Sequence, residues 1–156
     1  MSAGKPVATA GTLAGLRGSP LIIDVRDQNE IAAGKGGPPA FIPGSLNVPL
    51  NHLGVPQSQV SLVVTSPVKA CHAMHCTGVH RLLQRPTTSA EFREKLVAAG
   101  VELPADRSAP IICHCGSGGR GGRAALFLEE LGYLNVHNGG GPSHIAQSNP
   151  LLVQCE

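Results

Sequence analysis

Residues 110–132, PIICHCGSGGRGGRAALFLEELG, leave a chain few ways to fold. Pro110, Ile111, Ile112, Cys113 and His114 make a short apolar run of the kind that forms a buried strand. Cys115-Gly116-Ser117-Gly118-Gly119-Arg120 is a glycine-rich turn. From Gly121 to Leu131, Ala124, Leu128 and Leu131 recur at helical spacing with Ala125 and Phe127 beside them, and Gly132 follows as a stop signal. The stretch therefore reads strand, glycine loop, helix.

A cysteine at the end of such a strand meets backbone N–H groups that have no partner inside the following helix, together with the positive end of the helix dipole. Both favour a thiolate, and Arg120 adds a full positive charge nearby. Cysteine is ordinarily a small buried hydrophobe. Three glycines and an arginine around Cys115 favour a nucleophile, with Gly116, Ser117, Gly118, Gly119, Arg120 and Gly121 as an anion cradle.

The rest of the chain supplies the setting. Leu21-Ile22-Ile23-Asp24-Val25-Arg26 is a second buried strand, preceded by a possible short strand at 7–10 and a helical turn at 12–16. Residues 33–39, AGKGGPP, form a loop; Pro43-Gly44 is a turn, and a short strand spans 46–48. Thr88 and Glu91 have capping-box spacing. They open a helix over 89–99 with Phe92, Leu96 and Ala99 on its inner face and Glu91, Arg93, Glu94 and Lys95 on a solvated one, closed by Gly100. A strand at 133–137, the turn at 138–142 and a helix near 143–147 complete the domain. Alternation of strands and helices predicts an α/β fold of three layers, a mostly parallel sheet with helices on both faces, and places the site at the carboxyl ends of the strands.

Composition excludes several function classes. The formal net charge is +2, and there is no Trp, one Tyr and three Phe, so neither a basic footprint nor a stacking platform for nucleic acid is present. Apolar runs fall far short of the roughly 18 residues of a spanning helix. Five cysteines make an odd number without the density of a disulfide framework, which favours a reducing compartment. The N-terminal stretch lacks the apolar core of a secretory signal, so the expected location is cytoplasmic, with an organelle left open. At 156 residues the simplest organisation is one domain.

Residues 51–86 read as an insertion between the third strand and the next helix. Within it Cys71, His72, His75, Cys76 and His80 have the composition of a metal site. The spacing does not match one: there is no Cys-x2-Cys and no second matched pair, so no metal is expected. A redox or sulfur-passing role for these cysteines is the alternative. The roles of Cys113 and Cys155 are open at this stage.

The strand-loop-helix around Cys115 resembles the active-site loop of the rhodanese sulfurtransferases. So do Asp24-Val25-Arg26 followed by Glu30, and Ile42-Pro43-Gly44-Ser45-Leu46-Asn47-Val48-Pro49, with Phe41 where the family commonly has His. Arg120 stands five positions after Cys115. The related cysteine phosphatases need one more residue in the loop, and that position here is Gly121. The resemblance implies a rhodanese-like fold and a thiosulfate sulfurtransferase that carries sulfur as a Cys115 persulfide to cyanide or a thiol. Asp24 and Arg26 would support the loops rather than react. No cofactor is implied; the partners are a small sulfur donor and acceptor, with no nucleic acid or membrane, and the protein is a monomer or homodimer. Many thiosulfate-using members carry a cation directly after the cysteine. Gly116 departs from that and resembles 3-mercaptopyruvate sulfurtransferases, the nearest rival. A persulfide carrier without turnover is a further alternative, and an arsenate reductase or phosphatase fits the loop length less well.

Overall fold

A computed structural model of the chain describes residues 4–50 and 86–154. The Cys71–His80 cluster, nearly all of the insertion and Cys155 lie outside the described residues. Four parallel strands form one sheet: β1 (Leu21–Asp24), β2 (Leu46–Asn47), β3 (Ile111–His114) and β4 (Val136–Asn138), in the order β2-β1-β3-β4. The helices are α1 (Ala10–Ala14), α2 (Gln28–Ala32), α3 (Ser89–Ala98), α4 (Gly119–Glu130) and α5 (Pro142–Ser148), followed by a 3-10 turn over Pro150–Val153.

Side-chain alternation along the central strands builds the layers. Ile23, Ile111 and Cys113 point to one face, where Phe92 and Leu96 of α3 and Ala124, Ala125 and Leu128 of α4 cover them. Ile22 and Ile112 point to the other, against Leu13 of α1 and Ile145 of α5. Both central strands are thus sandwiched, which is why they read as continuous apolar runs rather than alternating ones. Phe92 and Phe127 meet with ring centroids 5.6 Å apart and join α3 to α4.

The capping box at α3 is present, with Thr88 Oγ1 accepting from Glu91 N–H and Glu91 Oε2 accepting from Thr88 N–H. Several boundaries differ from the sequence reading. The expected first strand is a single bridge from Val7 to Asn138, and α1 starts at Ala10 because Thr9 caps it. Helix α4 begins at Gly119, inside the glycine run. The last strand is shifted to Val136–Asn138, while Tyr133 is buried and its hydroxyl donates to Pro104 O. On α3, Lys95 is buried rather than solvated, its ammonium donating to Leu50 O at 3.2 Å, whereas Ala99 is exposed. Burial holds the Lys95 pKa below its ordinary value.

The N-terminal segment straps the start of α4. Lys5 N–H donates to Gly122 O at 3.1 Å, and a Cβ at Gly122 would lie 2.3 Å from Lys5 O and 2.9 Å from Asn138 Nδ2. Gly122→Ala is therefore expected to displace this strap. It should speed hydrogen exchange at the Lys5 amide, whose bond to Gly122 O it disturbs, and cost about 1–3 kcal/mol in urea unfolding. Unchanged amide exchange and stability would show that the strap can shift without loss.

Candidate active site

Strand β3 ends at His114, and the chain turns at once into the helix that covers the sheet. The turn is made by Gly118, the N-cap of α4, at φ +103, where a Cβ would sit 2.7 Å from Val7 Cγ2. Only glycine takes that backbone conformation without strain. The result is a tight return in which Gly118 N–H donates to Cys115 Sγ at 3.0 Å. Cys115 is 1% exposed, with Gly116 half-buried and Ser117 and Gly119 exposed at the rim. Gly121 lies behind the thiol, against the Cα of His114 and the carbonyl of Cys113.

Two more loops close on this turn. From β4, Asn138 Nδ2 donates to Gly118 O at 2.8 Å and to Lys5 O at 2.7 Å, while its Oδ1 accepts from Gly140 N–H. Gly140 O in turn accepts from Cys115 N–H at 3.0 Å. From the β1 side, residues 33–40 lie across Gly116; a Cβ at Gly36 would stand 3.1 Å from Gly116 O. By sequence pattern alone Asn138 is only part of a turn. Its position at a strand end, followed by three glycines, is the signal that a side-chain amide is needed where backbone pairing stops.

Arg120 does not point a free charge at the sulfur. Its Nη1 and Nη2 donate to Glu30 Oε2 and Oε1 at 2.6 and 2.8 Å, a bidentate fork across 90 positions of sequence. Glu30 also accepts from Asp27 N–H at 3.0 Å and from Lys35 Nζ at 2.6 Å. The Arg120 fork, then Lys35 and the Asp27 amide, hold the Glu30 carboxyl well below the usual carboxylate range against the opposing effect of burial. Glu30 likewise raises the pKa of Arg120. Arg123 lies one turn further on, its guanidinium 5.9 Å from the centre of the Phe127 ring.

Asp24 and Arg26 are both fully buried. Asp24 Oδ2 accepts from Arg26 Nη2 at 2.6 Å, and Oδ1 from Arg26 Nε and N–H at 3.0 Å. The other donors of Arg26 reach into the 33–40 loop, to Lys35 O at 2.6 Å and Ala40 O at 2.9 Å. His114 is buried beside this pair, with Nε2 3.9 Å from Asp24 Oδ2; burial lowers its pKa, so the ring is neutral near pH 7. Cys113 is fully buried and its thiol is pushed up to about 12 by desolvation, which keeps it protonated. Phe41 is exposed at 42%. A separate open groove of about 640 Å³ lies between the end of α3 and residues 101–107, lined by Leu96, Val97, Val101, Leu103 and Tyr133, and takes no residue from the Cys115 turn. Among the described residues no cluster of three His, Cys, Asp or Glu could hold a metal ion, and no helix is long and apolar enough to cross a membrane.

The family model for the rhodanese-like domain matches residues 9–141. No curated protein sequence matches the chain. Among solved structures, the Tum1 protein from Saccharomyces cerevisiae is similar at 22% identity and a TM-score of 0.45, over 92% of this chain and 41% of that one. The chain thus spans less than half the length of that protein.

The Glu30 pairing makes a pH-dependent contribution to stability whose sign is fixed. A carboxyl held below its ordinary value near 4.5 stabilises the fold fully above that value and loses the contribution as pH falls through the folded-state value. Glu30→Gln should therefore lower stability by about 1–3 kcal/mol at neutral pH. The gap between the two proteins should narrow as urea unfolding is repeated from about pH 5 towards pH 2. A gap that stays constant over that range would mean the carboxylate charge is not what Arg120 holds.

Proposed function

The chain belongs to the rhodanese-like domain family, and from that premise we propose that it is a sulfurtransferase in which Cys115 is the sulfur-carrying nucleophile. The observation that carries this reading is the 3.0 Å hydrogen bond from Gly118 N–H to Cys115 Sγ at the N-cap of α4. A donor fixed by backbone geometry favours negative charge on that sulfur, in the attacking thiolate and again when the persulfide is discharged and the electron pair returns to Sγ, with no reorganisation during the reaction. Cys113, two residues earlier, has the opposite environment and stays a thiol.

The donor in this reading is thiosulfate. The Cys115 thiolate attacks the outer sulfur, a bond forms between Sγ and that sulfur, and the bond to the sulfonate sulfur breaks with its electron pair leaving on sulfite. Cys115 then carries an anionic persulfide. Cyanide or an acceptor thiolate attacks the terminal sulfur, the Sγ–S bond breaks, and the electron pair returns to Sγ. Charge and electrons balance without an external oxidant, and the steps call for no metal or organic cofactor. Gly118 supplies the hydrogen bond, and Gly116, Ser117, Gly119 and Gly121 shape the rest of the cradle. Arg120 fixes the loop through Glu30 rather than meeting the donor. Asp24 and Arg26 hold the loop opposite. The partners are a small anionic sulfur donor and a thiol or cyanide acceptor, and the protein acts as a monomer or homodimer in the cytoplasm or an organelle.

Gly116 favours one second reading, 3-mercaptopyruvate as donor, because the residue after the nucleophile carries no charge of its own. Intact mass after incubation with thiosulfate, read beside a sulfite assay, separates the possibilities. Wild type should gain about one sulfur atom, Cys115→Ser should gain none, and cyanide should discharge the adduct. An adduct from 3-mercaptopyruvate alone would move the donor and keep the class. A stable adduct with negligible turnover would make the protein a persulfide carrier, and no adduct from either donor would overturn the reading.

A further inference from the structure

Lys35 lies beside Gly116, the residue after Cys115, in a segment that the sequence pattern marks only as a loop. Its backbone is not free. Arg26 Nη1 donates to Lys35 O at 2.6 Å, and Lys35 N–H donates to Glu30 O at 2.9 Å. Gly36, next in the chain, has φ +104 and packs so closely that a Cβ there would lie 2.7 Å from Pro142 Cδ and 3.1 Å from Gly116 O. The loop is thus seated directly on the residue after the nucleophile.

From that anchored backbone the Lys35 side chain runs over Gly116. Its Cγ, Cδ and Cε lie 3.3, 3.6 and 3.6 Å from where a Cβ at position 116 would stand. A side chain at 116 and the stem of Lys35 therefore compete for one space, and glycine leaves it to the lysine. The ammonium ends 2.6 Å from Glu30 Oε1, the same oxygen that takes Arg120 Nη2 at 2.8 Å. Two cations share one carboxylate. The Arg120–Glu30 fork is self-neutralising and mostly covered, at 16% and 17% side-chain exposure, while Lys35 is 60% exposed. Of the two cations, Lys35 is the one that solvent, and an arriving anion, can reach.

We propose that Lys35 is the donor-recognition residue of the Cys115 site: it reaches across from the 33–40 loop to supply the cation that position 116 lacks, and it selects a compact dianionic sulfur donor such as thiosulfate, meeting its sulfonate end. This rests on the reading of Cys115 as the sulfur-accepting nucleophile. The head group lies beside Lys35 Nζ, which has three N–H donors and gives one to Glu30. Sulfite leaves from the same place. An uncharged donor gains nothing there, and a carboxylate monoanion gains less.

The test has two parts. Steady-state sulfur transfer with thiosulfate is measured for wild type, Lys35→Met, Lys35→Arg and the double variant Lys35→Ala/Gly116→Lys. Thiosulfate binding is also measured by calorimetry on Cys115→Ser with and without Lys35→Met. Lys35→Met should raise KM for thiosulfate about fivefold with kcat little changed. The effect should shrink as salt is added and be smaller for 3-mercaptopyruvate. Lys35→Arg should stay near wild type. The double variant should recover most of the loss, because the lysine at 116 takes the vacated space; a purely structural role for Lys35 predicts no such recovery. Calorimetry should show weaker thiosulfate binding by a similar factor. An unchanged KM in Lys35→Met, in an enzyme that turns over, would overturn the assignment. In a protein that forms no persulfide, the Cys115 reading fails by itself, and Lys35 is then decided by the calorimetry: equal binding with and without the lysine overturns it.

Discussion

The buried pair of Asp24 and Arg26 holds the active end of this molecule together. Taking a guanidinium and a carboxylate out of water is expensive, and the Coulomb attraction alone does not guarantee a net gain. Here the pair is supplemented until little is left unsatisfied. Asp24 receives Arg26 through both side-chain oxygens, and the remaining guanidinium donors go to Lys35 O and Ala40 O. Those two carbonyls belong to a loop of which no residue is buried. The guanidinium therefore does for the loop what a hydrophobic core does for a helix. It fixes the loop's height over the sheet, and with it the position of Gly36 on Gly116 and of the Lys35 side chain beyond. Asn47 extends the same device, its amide donating to Asp24 O and Arg26 O from the neighbouring strand.

The parallel sheet explains why these parts meet. With every strand running the same way, the loops that leave β1, β3 and β4 emerge at one edge. Each brings what the others lack. The β3 loop brings the thiol, the β1 loop brings cation and carboxylate, and the end of β4 brings an amide that binds the β3 turn to the N-terminal strap. Asn138 contacts Gly118 and Lys5 through one nitrogen, so a single side chain at the end of β4 sets the distance between the nucleophile's turn and the strap.

How much of this was legible depended on whether the signal was local. The strands β1 and β3, the capping box at Thr88 and the stops at Gly100 and Gly132 are written in adjacent residues and read correctly. Helix α2, five residues long with none buried, carries no periodicity; its local signal is the Asp27–Glu30 capping box, while the fork that Arg120 makes on Glu30 comes from 90 positions away and no local pattern records it. Lys95 was placed on a solvated face because charge implies solvent, whereas its ammonium is satisfied by carbonyls of residues 49 and 50. Lys35 was invisible for the same reason. Its importance lies in what it crosses, and only the docking of Gly36 on Gly116 reveals that. The charge of Arg120 was legible but its destination was not: the sequence placed it near a thiol, and the fold gives it to a carboxylate first.

Cys113, inside β3, and Cys115, just past its end, show how little separates two thiol environments. Cys113 and Cys115 are two residues apart and belong to the same apolar cluster. Both are buried, so exposure does not distinguish them. What differs is where the strand ends. Cys113 is inside the sheet, its backbone committed to both neighbours and its sulfur surrounded by side chains, and desolvation alone sets its pKa upward. Cys115 is the first residue past the strand, where the chain has already begun to curl into α4 and an N–H of the turn points at sulfur. Lengthening β3 by two residues would give Cys115 the surroundings of Cys113. The glycine at 118, by permitting the left-handed turn at that point, sets its N–H against the sulfur of Cys115 and not that of Cys113.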